Sequence, residues 1–164
     1  MKVSANLHVE EITHPWIVDK FGLERCRKVL QKKRWYVLEG FEMIRDLVDE
    51  PCTINNYMWD SAYKKAIKAG HQGYPAIKGR QDLYINSGIR IFNDPVGSAL
   101  STHYIWDTLD IKFQSAEPIA VQQAIMGDEN GFPYILRMEN ANVTETWLHA
   151  EFGIRQGDID VFNP

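Results

Sequence analysis

This sequence has few cysteines, no long apolar run and no excess of positive charge, and each of these features excludes a class of protein. The two cysteines, Cys26 and Cys52, cannot build a disulfide framework and lack zinc-finger spacing, so we expect free thiols. No apolar run approaches the roughly 20 residues of a membrane-spanning helix. The first residues, MKVSANLHVEEITH, lack the cationic and apolar regions of a signal peptide. We therefore expect neither membrane insertion nor a signal peptide.

The charge balance argues against a protein that attracts nucleic acid through its overall field. The chain has 18 basic and 22 acidic residues and a net charge of −4, so we expect no nucleic-acid partner. The basic residues between positions 64 and 80 are typical of a solvated helix face and loop. With 164 residues, 45% of them hydrophobic, the chain has the size and composition of one globular domain.

Helical periodicity dominates the N-terminal third of the sequence. Between residues 35 and 50, apolar side chains recur every three or four positions, which predicts a helix that ends before Pro51. The other predicted helices cover residues 15–33, 60–69 and 115–127, the last with Ser115 as its N-cap.

Extended segments rich in β-branched and aromatic residues are more frequent later in the chain. The predicted segments are 52–59, 82–92, 102–113, 134–140 and 146–152. Residues 154–164 are predicted to be a loosely held tail. Because helices come first and strands later, we expect an α+β fold: a single domain with a small, mainly antiparallel sheet and helices packed against it.

Two histidines and an aspartate are candidate ligands of a metal ion. His103 and Asp110 lie seven residues apart in one strand-like segment, and His149 lies in another. Two imidazoles and a carboxylate can form a catalytic zinc site with one position left for water. We call these three residues the ligand group.

The spacing inside the ligand group requires a bend. Positions seven apart are separated by about 23 Å in a straight strand and by about 10 Å in a helix. A shared metal therefore requires the chain between Tyr104 and Leu109 to turn back. Around His149, alternation places residues 147, 149 and 151 on one strand face, which suits a cleft, and residues 148, 150 and 152 on the other, which suits the core.

Three short sequence blocks occur along the chain in the same order as in a known protein family. They are Ser87-Gly88-Ile89-Arg90, then Ser101-Thr102-His103 with Asp110 seven residues on, and finally Trp147-Leu148-His149. Together they resemble the zinc D-alanyl-D-alanine peptidase family, whose fold is shared with Hedgehog signalling domains. The segment Ile54-Asn55-Asn56-Tyr57 is similar to one in phage-encoded members. The resemblance covers a zinc domain at 35–153 and leaves outside it an N-terminal helical extension, 1–34, and a C-terminal tail, 154–164.

The resemblance implies a site and an activity. It implies that the ligand group binds Zn²⁺ and that Arg90 steadies the substrate carbonyl or the oxyanion that forms on attack. Ser87 and Ser101 would support the ligand loop from outside the coordination sphere. The implied reaction cleaves a peptide bond in bacterial peptidoglycan, with a glutamate carrying the proton from water to the leaving amine.

The chain departs from the family pattern at three places. Members usually have glycine three residues after the first histidine and a small residue five after it, whereas this chain has Trp106 and Thr108, so we expect a crowded bend. Many members place an acidic base three residues before the last histidine, where this chain has Thr146. The segment 59–84 looks like an insertion relative to compact members, placed to cover or block a cleft.

The general base therefore stays open among three glutamates. Glu139 ends a predicted strand much as phage-type members place their base, and we favour it. Glu145, four residues before His149, comes next. Glu151 is the third, because it shares a strand face with His149.

Two functions follow from the resemblance. The first is a phage-encoded zinc metallopeptidase, made in the host cytoplasm and acting on the cell wall after release or as part of a virion. The second is a virion or tail protein that contacts other virion proteins and keeps the peptidase fold with reduced or no activity. Trp106, Thr108 and Thr146 favour the second. A third interpretation is a metal-free interaction domain unrelated to peptidases.

Overall fold

The computed structural model describes residues 1–13, 15–54 and 102–163 of the chain. The predicted helix over 60–69, the predicted strand over 82–92 and the 59–84 insertion lie outside the described residues. The remaining predictions for helices and strands can be compared with the structure directly.

Four helices form the N-terminal part of the fold. They are α1 (Val9–Ile12), α2 (Pro15–Phe21), α3 (Leu23–Lys33) and α4 (Trp35–Val48). α4 confirms the predicted amphipathic helix, since Val37, Leu38, Phe41 and Ile44 of its apolar stripe are buried, although Leu47 is exposed. The helix ends at Asp49 in the left-handed region, with φ 49°. The single helix predicted over 15–33 is wrong. Gly22 separates α2 from α3 with φ 79° and ψ 150°, a conformation outside the helical range that glycine adopts without strain.

A five-stranded sheet forms the second layer. Its strands are β1 (Cys52–Ile54), β2 (Thr108–Phe113), β3 (Ile135–Glu139), β4 (Leu148–Phe152) and β5 (Asp160–Phe162). Their order across the sheet is β1-β2-β4-β3-β5. Every neighbouring pair is antiparallel except β3 and β5, which are parallel. The structure thus confirms an α+β fold with a small, mainly antiparallel sheet, and β3 and β4 lie where strands were predicted.

The C-terminal tail is more ordered than its composition predicts. Residues Asp160–Phe162 form β5, which extends the sheet by pairing with β3. Ile159 beside it is buried in the core. The expectation of a loosely held tail is therefore wrong, because the free edge of β3 offers backbone hydrogen bonds and the core accepts an apolar side chain.

The helix α5 (Pro118–Gly127) begins later than predicted and without Ser115 as its cap. Glu117 is the N-cap residue and Pro118 occupies the first turn. The Ser115 hydroxyl instead donates to the carboxylate of Glu50, which also accepts the backbone N–H of Ser115 and of Ala116. These hydrogen bonds lower the pKa of Glu50 to about 2, with the Ala116 N–H as the largest contribution.

One apolar core joins both layers. Buried side chains from the N-terminal segment, the helices and the strands belong to a single cluster, which includes Leu7, Leu30, Phe41, Ile111 and Phe152. α4 lies close against β4: a Cβ placed on Gly40 would lie 2.6 Å from Cε1 of Phe152. Because Gly40 has no side chain, α4 packs directly against the core-facing side of β4. No helix within the described residues is long and apolar enough to cross a membrane.

Candidate metal centre

The chain bends between the two ligands that are seven residues apart, as a shared metal requires. Residues Thr102–Ile105 form a 3-10 helix, and the strand β2 begins only at Thr108. Trp106, at the turn, has φ 71°. The bend brings His103 Nε2 to 3.7 Å from Oδ1 of Asp110. The predicted turn is confirmed, whereas the strand predicted over 102–113 is correct only for its second half.

A polar clamp holds this bend from the helical layer. The Asp107 carboxylate accepts a hydrogen bond of 2.6 Å from the Tyr36 hydroxyl and lies 2.9 Å from Nε of Arg34. Arg34 also donates to the backbone carbonyl of Ile105 at 3.1 Å. Burial, together with the bond to Asp107, raises the pKa of Tyr36 to about 12. We call Arg34, Tyr36 and Asp107 the Asp107 clamp.

Sheet register places the third ligand. Asp110 on β2 pairs directly with His149 on the antiparallel β4. Side chains of directly paired residues project from the same face of a sheet, so the two meet, and Nδ1 of His149 lies 2.7 Å from Oδ1 of Asp110. The other face of β4 carries Leu148, Ala150 and Phe152 into the core. The predicted division of the strand into a core face and a site face is confirmed.

The three ligands form a buried group that can hold a metal ion. His103, Asp110 and His149 are 2%, 4% and 8% exposed. One donor atom from each lies within 4.8 Å of the others. Tetrahedral zinc with bonds of about 2 Å separates its ligand atoms by about 3.3 Å, and the distances of 3.7 and 2.7 Å from Asp110 to the two imidazoles lie on either side of that value. The donor set of two nitrogens and one oxygen therefore fits a metal of this type.

Negative charge surrounds the His149 imidazole. Burial by itself lowers the pKa of His149, but the hydrogen bond with Asp110, the interaction with Glu151 and the carboxylate charges of Asp110 and Glu139 outweigh it and raise the pKa to about 9. The group thus attracts a cation, either a proton or a metal ion. The rings of His103 and His149 lie edge to face, with centroids 5.2 Å apart.

A second row of side chains lies beside His149. Glu151 is 7% exposed, and its two carboxylate oxygens bind Arg137 at 2.8 and 2.9 Å. The Arg137 guanidinium lies 4.5 Å from the centroid of the Phe162 ring. That ring is nearly perpendicular to the His149 ring, with the two centroids 6.1 Å apart. Arg137 and Phe162 escaped the sequence analysis. An alternating strand gives no sign of its cross-strand partner, and Phe162 lies in the tail that we expected to be loose.

The structure separates the glutamates considered as a base. Glu139, the last residue of β3, is half-buried, and its charge contributes to the raised pKa of His149. Glu145 and Thr146 are exposed in the connection between β3 and β4. Glu151 lies near the ligand group but is paired with Arg137. Of these glutamates, Glu139 and Glu151 act electrostatically on His149.

Trp106 does not fill the space between the ligands. Its side chain lines a mainly apolar cavity with Phe21, Arg25, Cys26 and Val29, and no member of the ligand group lines that cavity. Its backbone, with φ 71°, is in the left-handed region, which glycine adopts without strain. Thr108 is fully buried at the start of β2. The Trp106 indole therefore lies towards the helices and does not cause the crowding that we expected at the bend.

Three predicted site residues cannot be compared with the structure. Ser87, Arg90 and Ser101 lie outside the described residues. The roles that the resemblance implies for them stay predictions.

Comparisons of this chain with known proteins leave the ligand group as the main evidence on function. No protein-family model, no curated protein and no solved structure matches the chain. The functional conclusions below therefore depend on the described residues and on the resemblance of the three sequence blocks.

Proposed function

We propose that this protein is a zinc metallopeptidase that cleaves a peptide bond in bacterial peptidoglycan. The observation that carries the proposal is the convergence of His103, Asp110 and His149 into one buried group despite their separation along the sequence. Two imidazoles and one carboxylate from the protein are a ligand set used in catalytic zinc sites, which keep a position for water or substrate. The resemblance to D-alanyl-D-alanine peptidases supplies the substrate class and the phage origin.

The ligand group would hold the ion through Nε2 of His103, Oδ1 of Asp110 and Nδ1 of His149, the atoms that face one another. When bound, zinc lowers the pKa of a coordinated water and polarises a substrate carbonyl. Strand register and the Asp107 clamp hold the three side chains within reach of one ion.

Glu139 is the residue that we propose as general base. Its half-buried position and its influence on His149 favour it over the exposed Glu145. A carboxylate in such a position can take a proton from water and deliver it to the leaving amine. Arg90, supplied by the resemblance alone, is proposed to stabilise the negative charge that develops on the carbonyl oxygen.

Metal content and muropeptide cleavage test the proposal together. We expect about one zinc per chain in the wild type by elemental mass spectrometry, and none in His149→Ala. Zinc-loaded wild type should release peptide fragments from muropeptides, as measured by liquid chromatography and mass spectrometry. Glu139→Gln should keep zinc and lower the cleavage rate about 100-fold or more, while the matched control Glu145→Gln keeps both. Folded wild type that binds no supplied zinc, or that binds it without cleaving, would contradict the peptidase.

A virion or tail protein that keeps the metal site without peptidase activity is the second candidate. The observation that favours it is the exposed Thr146 at the position where many peptidase relatives place their base, together with the engagement of Glu151 by Arg137. This function predicts a fixed number of copies in purified phage particles, which quantitative mass spectrometry can count. Absence of the chain from such particles would exclude it.

A further inference from the structure

We propose that Glu151, held in place by Arg137, is a positioning residue that orients the His149 imidazole for metal binding. This inference rests on the proposed metal site and deepens it. It also removes Glu151 from the candidates for the general base. Three observations carry it: the geometry of the carboxylate, the register of the strands and the environment of the second imidazole nitrogen.

The Glu151 carboxylate is fixed in orientation. Arg137 donates through Nε to Oε2 at 2.8 Å and through Nη2 to Oε1 at 2.9 Å. Two parallel hydrogen bonds from a guanidinium hold the plane of a carboxylate as well as its position. The Phe162 ring, 4.5 Å from the Arg137 guanidinium, packs on the cation from β5.

Sheet register places this pair beside the ligand group. Arg137 on β3 pairs with Glu151 on β4, and Asp110 on β2 pairs with His149 two residues earlier on β4. Glu151 and His149 therefore project from the same face of β4. The strand register thus brings Glu151 next to His149, and Arg137 holds its carboxylate there.

The two nitrogens of His149 face two different carboxylates. Nδ1 lies 2.7 Å from Oδ1 of Asp110, within the ligand group, and Nε2 lies 3.8 Å from Oε1 of Glu151. The second distance exceeds a hydrogen bond, so the attraction across it is electrostatic. A metal on Nδ1 would leave the imidazole with its proton on Nε2, the nitrogen that faces the Glu151 carboxylate. Metal-binding histidines commonly direct their second N–H at a carboxylate, which sets the tautomer and ring orientation.

The test compares zinc affinity in wild type, Glu151→Gln and the matched control Glu145→Gln, by competition with a chromophoric chelator. We expect Glu151→Gln to bind one zinc about 10- to 100-fold more weakly than wild type, the range seen when such supporting partners are removed. Glu145→Gln should bind as wild type does. Arg137→Lys keeps a cation but loses the two-point contact, and a smaller loss of affinity is expected.

A spectroscopic readout separates positioning from a merely structural role. Histidine ¹⁵N spectra of the zinc-loaded wild type should show His149 with a metal-bound Nδ1 and a protonated Nε2, and Glu151→Gln should weaken or mix that signature. A structural role would change thermal unfolding of the metal-free protein and leave affinity and ¹⁵N shifts unchanged.

The outcomes also distinguish this inference from the proposed function. Zinc binding by wild type with an unchanged affinity in folded Glu151→Gln would overturn the positioning role alone. If Glu151→Gln does not fold, unchanged affinity in Arg137→Lys overturns it instead. Failure of folded wild type to bind zinc would overturn both.

Discussion

The ligand group and the Asp107 clamp are neighbouring clusters of polar side chains with opposite chemical character. In the clamp, one carboxylate meets two donors, the Tyr36 hydroxyl and the Arg34 guanidinium, which keep their protons at neutral pH. In the ligand group, one carboxylate lies between two imidazoles, which can lose a proton and present a lone pair. The first cluster therefore suits a fixed structural bend, whereas the second suits exchange of protons for a metal ion.

The largest expected effect comes from removing the carboxylate at the centre of the ligand group. Asp110→Ala leaves His149 buried without its closest partner, and loss of one member of a buried ion pair destabilises a protein by about 3–5 kcal/mol. We expect a loss of this size in the free energy of unfolding of the metal-free protein, measured with urea, and loss of zinc binding. Asp107→Ala is the comparison variant. A larger loss of unfolding free energy in Asp107→Ala than in Asp110→Ala would contradict this prediction.

The next largest effect tests how closely α4 packs against β4, the strand that carries His149. Gly40→Ala introduces a Cβ that would overlap the Phe152 ring, and overpacking of this kind destabilises by about 1–3 kcal/mol. The matched control is Gly127→Ala, where the added Cβ meets no atom within 4 Å. Thermal unfolding should separate the two variants. Equal melting temperatures would show that α4 and β4 do not pack in close contact at Gly40 and Phe152.

A smaller effect is expected in the clamp. Tyr36→Phe removes the hydroxyl that donates to Asp107, and loss of one such hydrogen bond lowers the free energy of unfolding by about 1 kcal/mol. The number of zinc ions bound should not change, since no ligand is altered. Tyr134→Phe serves as control, because the ring contact of Tyr134 with Trp35 does not use the hydroxyl. Loss of zinc from Tyr36→Phe would mean that the clamp belongs to the site itself.

The smallest effect is a pH dependence at Glu50, which belongs to neither cluster. The pKa of Glu50 is lowered to about 2 by hydrogen bonds from Ala116 and Ser115, so the stabilisation that this carboxylate provides is complete above its ordinary pKa of 4.5. It is lost as the pH falls from there towards 2. We expect the melting temperature of Glu50→Gln to fall less over this range than that of wild type. Parallel curves for Glu50→Gln and wild type would contradict the assignment.

The periodicity of apolar residues correctly predicted the helix and the strand that have one apolar face. The stripe of α4 and the alternation of β4 depend on side-chain periodicity, which is written in the sequence and independent of partners. The failures have a common cause in contacts from distant parts of the chain. The edge of β3 ordered the tail as β5, and Glu50 took Ser115 away from the helix that it was expected to cap.

The ligand group shows both what the local sequence predicts and what depends on contacts between distant parts of the chain. Residue types and spacing nominated His103, Asp110 and His149, and chain geometry required the bend between the first two. The partners that support them, Arg34 at the bend and Arg137 beside His149, lie on other elements and gave no local signal.

The sequence by itself determined the α+β class, the principal helix, the strand faces and the identity of the candidate ligands, because each follows from composition or short-range periodicity. The tertiary structure alone decided that the three ligands meet, that Trp106 turns away from them, and that Glu151 is paired with Arg137. These outcomes depend on strand register and on packing between elements far apart in the chain, which no local pattern encodes.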